Sequence, residues 1–356
     1  MVLFRELASL DSRRKAAPIE ARSPSFTCYT VPLRMAFKFA FATLVPFICA
    51  IPLPAQVSPP CPSTLIVNVI DGNGRPEPDV PKESFRVRIN GHSATVRAAE
   101  YKMLARRIVL LLDRSGSMSG NLSKNKWSIA GTAAQDLISL ASSQVPIAVV
   151  AFSEKVNGTV GFDRGRALVN DELKRVLENT ADLKGHTALY DAILAGIEML
   201  RPVQMGDAIY VITDGGDNAS KANGAMVRRA LLENSVRLFT FLLGDPLTPE
   251  EASGADAIRE LTRDTDGFLF GAAASSLFIA SQRTFRFDPR AVKDIKLQTV
   301  GLENAVNGFY TLNIDGTPNE SRSSHLSVEV VDDRGKPRKD LRLIFPRLHV
   351  LTCTTN

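Results

Sequence analysis

The chain has 356 residues, which is too long for one average domain and long enough to bury a sizeable core. Its composition, with 44% hydrophobic and 23% charged residues, excludes wholesale disorder and a membrane protein with many spans. The formal net charge of +5 comes mostly from residues 1–55, which hold seven Lys/Arg and three acidic residues. The remainder carries about +1, which gives no reason to expect nucleic-acid binding.

An apolar run near the N-terminus has the outline of a secretory signal peptide. Residues 39–53 follow the positive charge of Lys38 and precede the small residue Ala55. The run is shorter than the roughly 20 residues that a membrane span requires, and it contains Pro46 and Pro52. We therefore expect cleavage after about Ala55 rather than a stable transmembrane anchor. An uncleaved anchor is the alternative.

The residues in front of this signal leave the start of translation open. Residues 1–34 are polar and rich in arginine, so translation starts either at Met35 or at Met1 with an unusually long positive region. The leader covers residues 1–55, with the signal itself at 35–55. We expect the mature protein to be exported to the periplasm, to the cell surface or to the medium.

Two of the four cysteines remain once the leader is set aside, Cys61 and Cys353. They lie at opposite ends of the mature chain, and in an exported protein this favours a disulfide between them. Two independent thiols are the alternative, because the spacing alone does not fix the pairing.

The segment 56–103 has the pattern of a small antiparallel β unit. A strand is predicted over 64–70, a turn over 71–74 and a second, alternating strand over 84–90. These strands are too few to stand alone, so they need partners elsewhere in the chain.

The central segment, 104–285, alternates strands and helices. Its first strand, 107–112, is a continuous apolar run that ends at Asp113, as expected for a strand covered on both faces. The later predicted elements are a helix over 127–141, a strand over 145–152, a helix over 188–200, a strand over 208–213, a helix over 222–233, a strand over 236–243 and closing helices over 254–265 and 275–284. This alternation predicts an α/β fold with a doubly wound, mostly parallel sheet.

The last segment, 286–356, returns to a β pattern. Strands are predicted over 308–315, 326–331 and 341–345. We expect them to pair with the segment 56–103 in one small β subdomain, which flanks the α/β domain.

Oxygen-bearing side chains follow several strands of the predicted α/β sheet. Asp113, Ser115 and Ser117 come directly after the first strand, Thr187 precedes a helix, and Asp214 ends a later strand. Ligands of open α/β sheets bind at the carboxyl ends of the strands, so these side chains should meet at one edge. Carboxylate and hydroxyl oxygens are hard ligands that suit Mg²⁺, with Mn²⁺ or Ca²⁺ as alternatives.

The spacing Asp-x-Ser-x-Ser, then Thr about 70 residues later, then Thr-Asp-Gly after an apolar strand, resembles the metal-ion-dependent adhesion site of von Willebrand factor A domains. The resemblance implies that the hydroxyls of Ser115 and Ser117 bind the metal directly. Thr187 binds directly or through water, and Asp113 and Asp214 act mostly through water. It also implies that an acidic side chain of a protein partner fills the remaining position.

This resemblance covers about half of the chain, residues 104–285. The order of signal, β segment, A domain and β tail is similar to that of a bacterial group of exported proteins related to these domains. His186 departs from the family pattern, which has glycine before Thr187, and the β tail is shorter and less regular. The resemblance implies an adhesion-type binding module without enzymatic activity.

Several side chains near the site have simpler interpretations. Asp191 and Asp217 are expected to cap helices or to support the ligands rather than to bind the metal. His186 is expected to be a solvated loop residue, and the alternative is a position beside the metal ligands from which it tunes access to the metal. The two serines alone would be ordinary turn residues, and it is the threonine and the second carboxylate at other strand ends that favour a metal site.

Two other functions fit parts of the pattern. A metal-dependent phosphoryl-transfer enzyme also places an aspartate after a strand, but it needs a second acid where Ser115 stands. The stronger rival is a scaffold for envelope assembly in which the metal only stiffens the loops. Metal-dependent binding of a partner distinguishes the scaffold from the adhesion module.

Overall fold

The computed structural model describes residues 61–119, 123–244, 249–273, 278–281, 284–287, 289–316 and 323–350. The predicted leader over 1–55 lies outside these residues, as do Cys353 and the side chain of Cys61, so the predicted disulfide stays a prediction. None of the helices in the described ranges combines the length and the apolar character needed to cross a membrane.

The strands, in chain order, are β1 (Cys61–Ile70), β2 (Phe85–Ile89), β3 (His92–Met103), β4 (Ile108–Asp113), β5 (Ile147–Phe152), β6 (Val156–Val160), β7 (Ala208–Thr213), β8 (Arg237–Gly244), β9 (Leu269–Ala273), β10 (Phe278–Ser281), β11 (Thr284–Phe287), β12 (Gly308–Gly316), β13 (Ser323–Val330), β14 (Arg342–Ile344) and β15 (Leu348–Val350). The α-helices are α1 (Ser123–Leu140), α2 (Gly165–Glu178), α3 (Leu189–Met199), α4 (Gly224–Glu233), α5 (Pro249–Asp264) and α6 (Pro289–Asn307).

The described part of the central segment forms a six-stranded sheet in the order β6-β5-β4-β7-β8-β9, in which only β6 runs antiparallel to its neighbour. Every residue of β4 is buried, because helices cover both faces of the sheet. Ile108, Leu110 and Leu112 pack towards α1, α2 and α6, whereas Val109 and Leu111 pack towards α3, α4 and α5. The predicted doubly wound sheet is confirmed.

The terminal segments form a second, antiparallel sheet, which in the described residues has seven strands in the order β14-β1-β12-β3-β2-β13-β15. Its edge strands β14 and β15 are separated in the chain only by residues 345–347, so the sheet curls until its two edges approach each other. A hydrogen bond between Ser63 of β1, the neighbour of β14, and His349 of β15 connects the two ends of the sheet. Leu65, Phe85 and Tyr310 belong to its apolar core. The predicted β subdomain from both ends of the chain is confirmed.

The α/β unit is inserted between two adjacent strands of the second sheet. Met103 at the end of β3 is paired with Gly308 at the start of β12. The buried side chain of Asn68 fastens this junction, because its Nδ2 donates to the carbonyl oxygens of Ala305 at 2.9 Å and Gly308 at 2.7 Å. The chain therefore enters and leaves the α/β unit at one place.

Two parts of the predicted element order are wrong. The helix expected over 275–284 is replaced by the hairpin of β10 and β11, whose sequence is rich in aromatic and β-branched residues. The β pattern expected from residue 286 is interrupted, because α6 lies between β11, which ends at Phe287, and β12, which begins at Gly308. Ile295 and Leu302 of α6 lie in the core of the α/β sheet, so this unit extends beyond 285 to Asn307.

Candidate metal site

Asp113 is the last residue of β4 and is completely buried. Its Oδ1 accepts the backbone N–H of Ser115 at 2.9 Å, and its Oδ2 accepts the hydroxyl of Thr213 at 2.7 Å. The Thr213 hydroxyl in turn accepts the N–H of Gly215 at 3.0 Å. Both carboxylate oxygens are therefore held in fixed positions at the carboxyl edge of the sheet.

Ser115 and Ser117 follow in a short turn after β4. Ser115 is buried, and the hydroxyl oxygens of the two serines are 3.0 Å apart. The backbone N–H of Gly116 between them donates to the carbonyl oxygen of Gly185 at 2.9 Å. This bond ties the serine turn to the loop that carries Thr187, so the structure brings these two predicted parts of the site together.

Thr187 lies before α3 and is nearly buried. Its N–H donates to Oδ1 of Asn218 at 2.7 Å, and its carbonyl oxygen accepts the N–H groups of Asn218 at 3.0 Å and Ala219 at 3.1 Å. Asn218 belongs to the loop that follows Asp214. The backbone of Thr187 is thus fixed between the serine turn and the Asp214 loop.

Asp214 follows β7 and forms an ion pair that the sequence did not reveal. Its Oδ2 accepts a 3.0 Å hydrogen bond from Nζ of Lys126 in α1, and the side chains of Lys126 and Asp214 are only 4% and 2% exposed. Oδ1 of Asp214 is buried and has no hydrogen-bond partner in the described part of the chain. A buried carboxylate oxygen without a partner is unfavourable. A cation or a hydrogen-bond donor at this atom would remove that cost.

The two carboxylates of the site repel each other. Burial, and after it the nearby negative charge of Asp214, raise the pKa of Asp113 to about 7 against the opposing effect of hydrogen bonds from Thr213 and Ser115. Bound cations commonly relieve this kind of repulsion between buried carboxylates.

A divalent cation at this edge would depend on hydroxyl oxygens. Across the described ranges, no group of three or more His, Cys, Asp or Glu side chains is arranged to hold a metal ion. The donor set here has two carboxylates, and the serine and threonine hydroxyls complete it. Hard oxygen donors of this kind suit Mg²⁺, so the residues present fit such an ion.

Asp191 and Asp217 fasten the Asp214 loop to α3. Asp217 Oδ2 accepts the N–H of Tyr190 at 2.8 Å, and Asp191 accepts the N–H groups of Lys221 and Ala222, each at 3.0 Å. Their carboxylates accept hydrogen bonds from backbone amides, and their support of the metal ligands stays a prediction.

His186 is exposed, and its backbone N–H donates to Oε1 of Glu154 at 3.2 Å. Gly185 before it has φ +85°, and a methyl group there would come within 3.0 Å of the Glu154 carboxylate. Glu154 therefore fits closely against the loop between the serine turn and Thr187. The sequence contained no signal for this contact.

Helix α5 packs directly on the loop after Asp214. Gly215 has φ +94°, and a side chain there would come within 2.8 Å of the Cα atom of Ala255. A methyl group at Gly254 would overlap the carbonyl oxygen of Gly215. The absence of side chains at these glycines lets the helix approach the site.

A doubly wound sheet with its polar site at the carboxyl ends of the strands is the arrangement of a Rossmann-like α/β domain. Residues 108–216 match the family model described as von Willebrand factor type A domain. The α/β unit therefore has the von Willebrand factor A fold. No curated protein matches the chain.

Solved structures similar to this chain include a von Willebrand factor type A protein from Catenulispora acidiphila, with 13% identity and a TM-score of 0.42 over 84% of this chain and 74% of that chain. Another is the conserved hypothetical protein BatB from Bacteroides thetaiotaomicron, with 17% identity and a TM-score of 0.37 over 56% of this chain and 98% of that chain. A third is proximal thread matrix protein 1 from the mussel byssus, with 14% identity and a TM-score of 0.42 over 61% of this chain and 50% of that chain.

Proposed function

We propose that the protein is an exported, Mg²⁺-dependent protein-binding module of the adhesion type. Asp113, Ser115, Ser117, Thr187 and Asp214 would hold the cation, and Mn²⁺ or Ca²⁺ would substitute for Mg²⁺. The observation that carries the proposal is the buried Oδ1 of Asp214, which has no hydrogen-bond partner in the described residues and lies near the second buried carboxylate, Asp113.

The residues of this chain prepare the site for binding. A divalent cation held there supplies a coordination position that an acidic side chain of a partner can fill. Thr213 orients Asp113, and Asn218 holds the backbone of Thr187, so the loops are ordered by the protein itself. Such preorganisation reduces the entropy lost when a partner binds. We expect the partner to present Asp or Glu.

Binding is better supported than catalysis. Ser115 stands where a phosphoryl-transfer enzyme needs a second acid. The nearby His186 is exposed, and its backbone amide makes the contact with Glu154. Domains of the type that matches residues 108–216 are typically interaction modules.

One observation favours the scaffold as a second candidate. Lys126 already pairs with Asp214 and offsets part of the negative charge of the site. If the protein is a scaffold, the loops are ordered without a metal, and a bound metal only adds stability. Partner binding would then use another surface.

The first experiment titrates Mg²⁺ and Mn²⁺ calorimetrically into the full-length protein and into the Ser115→Ala/Ser117→Ala double variant. We expect the wild type to bind and the double variant to lose binding by at least about tenfold, since it removes two oxygen donors. Ser119→Ala is a matched control, because its hydroxyl lies in the same turn but donates to the carbonyl oxygen of Gly116. A wild type that binds no metal contradicts the proposal.

The second experiment separates the adhesion module from the scaffold. A short glutamate peptide is added to the Mn²⁺-loaded protein, and the relaxation of solvent protons by Mn²⁺ is measured. The adhesion module predicts that the relaxation falls, because the peptide carboxylate excludes solvent from the ion. The scaffold predicts no change.

A further inference from the structure

Lys126 is a buried lysine whose ammonium group faces the candidate metal site. It lies in the first part of α1, and its side chain is 4% exposed. Its Nζ donates a 3.0 Å hydrogen bond to Oδ2 of Asp214. Burying a charged lysine is unfavourable unless the charge is paired, so this ion pair makes the buried position tolerable.

The ion pair uses only half of the Asp214 carboxylate. Oδ1 has no hydrogen-bond partner in the described residues, and Asp113 lies close enough to feel the negative charge of Asp214. The site thus contains two carboxylates and one ammonium group. Lys126 offsets one of the two negative charges that would attract a cation.

We infer that Lys126 is a built-in cation that competes with the divalent metal for Asp214 and thereby lowers the metal affinity of the site. This inference rests on the proposed function, because it requires a metal to bind at Asp214. In the metal-free protein the ammonium group stabilises the Asp214 carboxylate. When a metal binds, the ammonium group and the ion repel each other at short range.

The helix that carries Lys126 is firmly held, so it does not retreat from the metal. The indole N–H of Trp127 donates to the carbonyl oxygen of Leu177 at 3.2 Å, and Ile129 and Ala130 are completely buried. The repulsion must therefore be relieved by rotation of the flexible Lys126 side chain.

Lys184 provides a matched control. It lies in the loop before Thr187, its side chain is 76% exposed, and its Nζ is 3.8 Å from a carboxylate oxygen of Asp182. A general effect of positive charge near the site would be seen in Lys184→Met as well as in Lys126→Met. Competition for Asp214 would be seen only in Lys126→Met.

The test titrates Mg²⁺ and Mn²⁺ calorimetrically into the full-length wild type and its Lys126→Met, Lys126→Arg and Lys184→Met variants, and melts each protein in EDTA and in excess metal. We expect Lys126→Met to bind metal at least about tenfold more tightly, because the substitution removes the positive charge that repels the metal ion. The Lys126→Met protein should melt at a lower temperature than the wild type in EDTA. Its melting temperature should rise more than that of the wild type when metal is added. Lys126→Arg and Lys184→Met should stay within about threefold of the wild type.

The outcomes separate the inference from the proposed function. If the wild type binds metal and Lys126→Met binds it equally or more weakly, the inference is overturned and the metal site stands. Metal binding by Lys126→Met alone supports competition by the ammonium group, which then excludes the ion from the wild type, and overturns the proposed metal-dependent function. No binding by either protein overturns both.

A measurement on the wild type covers the case in which Lys126→Met does not fold. In protein labelled with ¹⁵N at lysine Nζ, the buried ammonium group of Lys126 should give a slowly exchanging signal that Lys126→Arg lacks. Saturating Mg²⁺ should shift or remove this signal. A signal that stays unchanged at full metal occupancy overturns the inference.

Discussion

The hydroxyl of Thr213 donates to Oδ2 of Asp113 across two neighbouring parallel strands, and the distance is 2.7 Å. The same hydroxyl accepts the N–H of Gly215 at 3.0 Å. One buried side chain therefore orders both the loop that begins at Asp113 and the loop that contains Asp214.

We predict that Thr213→Val lowers the free energy of unfolding by about 1–3 kcal/mol, because it leaves the N–H of Gly215 and one oxygen of Asp113 without partners. Metal affinity should fall as well. Denaturant unfolding in EDTA and calorimetric titration measure the two effects. Thr132→Val in α1 is the control, since that hydroxyl only donates to the carbonyl oxygen of Ser128 in its own helix. Equal stability of Thr213→Val and wild type would contradict this role.

Gly254→Ala and Gly301→Ala should change the stability in opposite directions. A methyl group at Gly254 overlaps the carbonyl oxygen of Gly215, whereas one at Gly301 in α6 meets no atom within 4 Å. We expect Gly254→Ala to destabilise by about 1–3 kcal/mol through overpacking. Gly301→Ala should stabilise by about 0.5–1 kcal/mol through helix propensity. Thermal melts of both variants in EDTA test whether the two changes in stability have opposite signs.

Arg237 holds the end of α6. It is buried, and its guanidinium donates to the carbonyl oxygens of Gly206, Ala305 and Val306, each at 2.8 Å. Arg237→Met should cost about 3–5 kcal/mol, because the carbonyl oxygens of Gly206 and Val306 lose their donor and that of Ala305 keeps only Asn68. Arg229→Met is the exposed comparison.

Arg229 forms a surface pair with Glu233 one helical turn away, so its removal should cost less than about 1 kcal/mol. Urea unfolding of the two arginine variants measures the difference. Similar losses in both would show that the buried guanidinium contributes no more than a surface charge.

Stability should fall at acidic pH because of His349. Burial lowers the pKa of His349 from 6.5 to about 4. The unfolded chain binds the proton more readily, so this contribution is fully present above pH 6.5 and is lost as the pH falls towards 4. The loss amounts to roughly 2–3 kcal/mol.

Urea unfolding between pH 7 and pH 4 measures this dependence, with His349→Gln as the control. The difference in free energy between wild type and variant isolates the histidine from the other groups that titrate in this range. Parallel pH profiles for the two proteins would show that His349 does not titrate differently in the folded state.

The sequence was sufficient to predict the elements whose residue pattern agrees with their burial in the fold. Strand β4 is buried on both faces and stands in the chain as an unbroken apolar run. The predicted helix that begins near Trp127 is confirmed as α1, and Trp127 packs in the core as expected. The relation between Asp113 and Asp214 was predictable because both end parallel strands of one sheet.

The remaining features depend on tertiary contacts. Ile295, Leu302 and Val306 recur at helical spacing in α6, a signal that the neighbouring strand-like residues obscured. The polar helix α2 was not predicted, because few of its residues are buried. The pairing of Lys126 with Asp214 could not be predicted, because the two residues are 88 positions apart in the chain.

The insertion of the α/β unit between β3 and β12 sets an order of folding. Met103 and Gly308 are paired although about 200 residues lie between them. Closing a disordered loop of this length would cost on the order of 5 kcal/mol in chain entropy. A folded α/β unit brings the two ends together beforehand. During synthesis, β1, β2 and β3 emerge first and must wait with unpaired edges until the α/β unit has folded and β12 arrives. A chain released before Gly308 would keep those edges open to other chains.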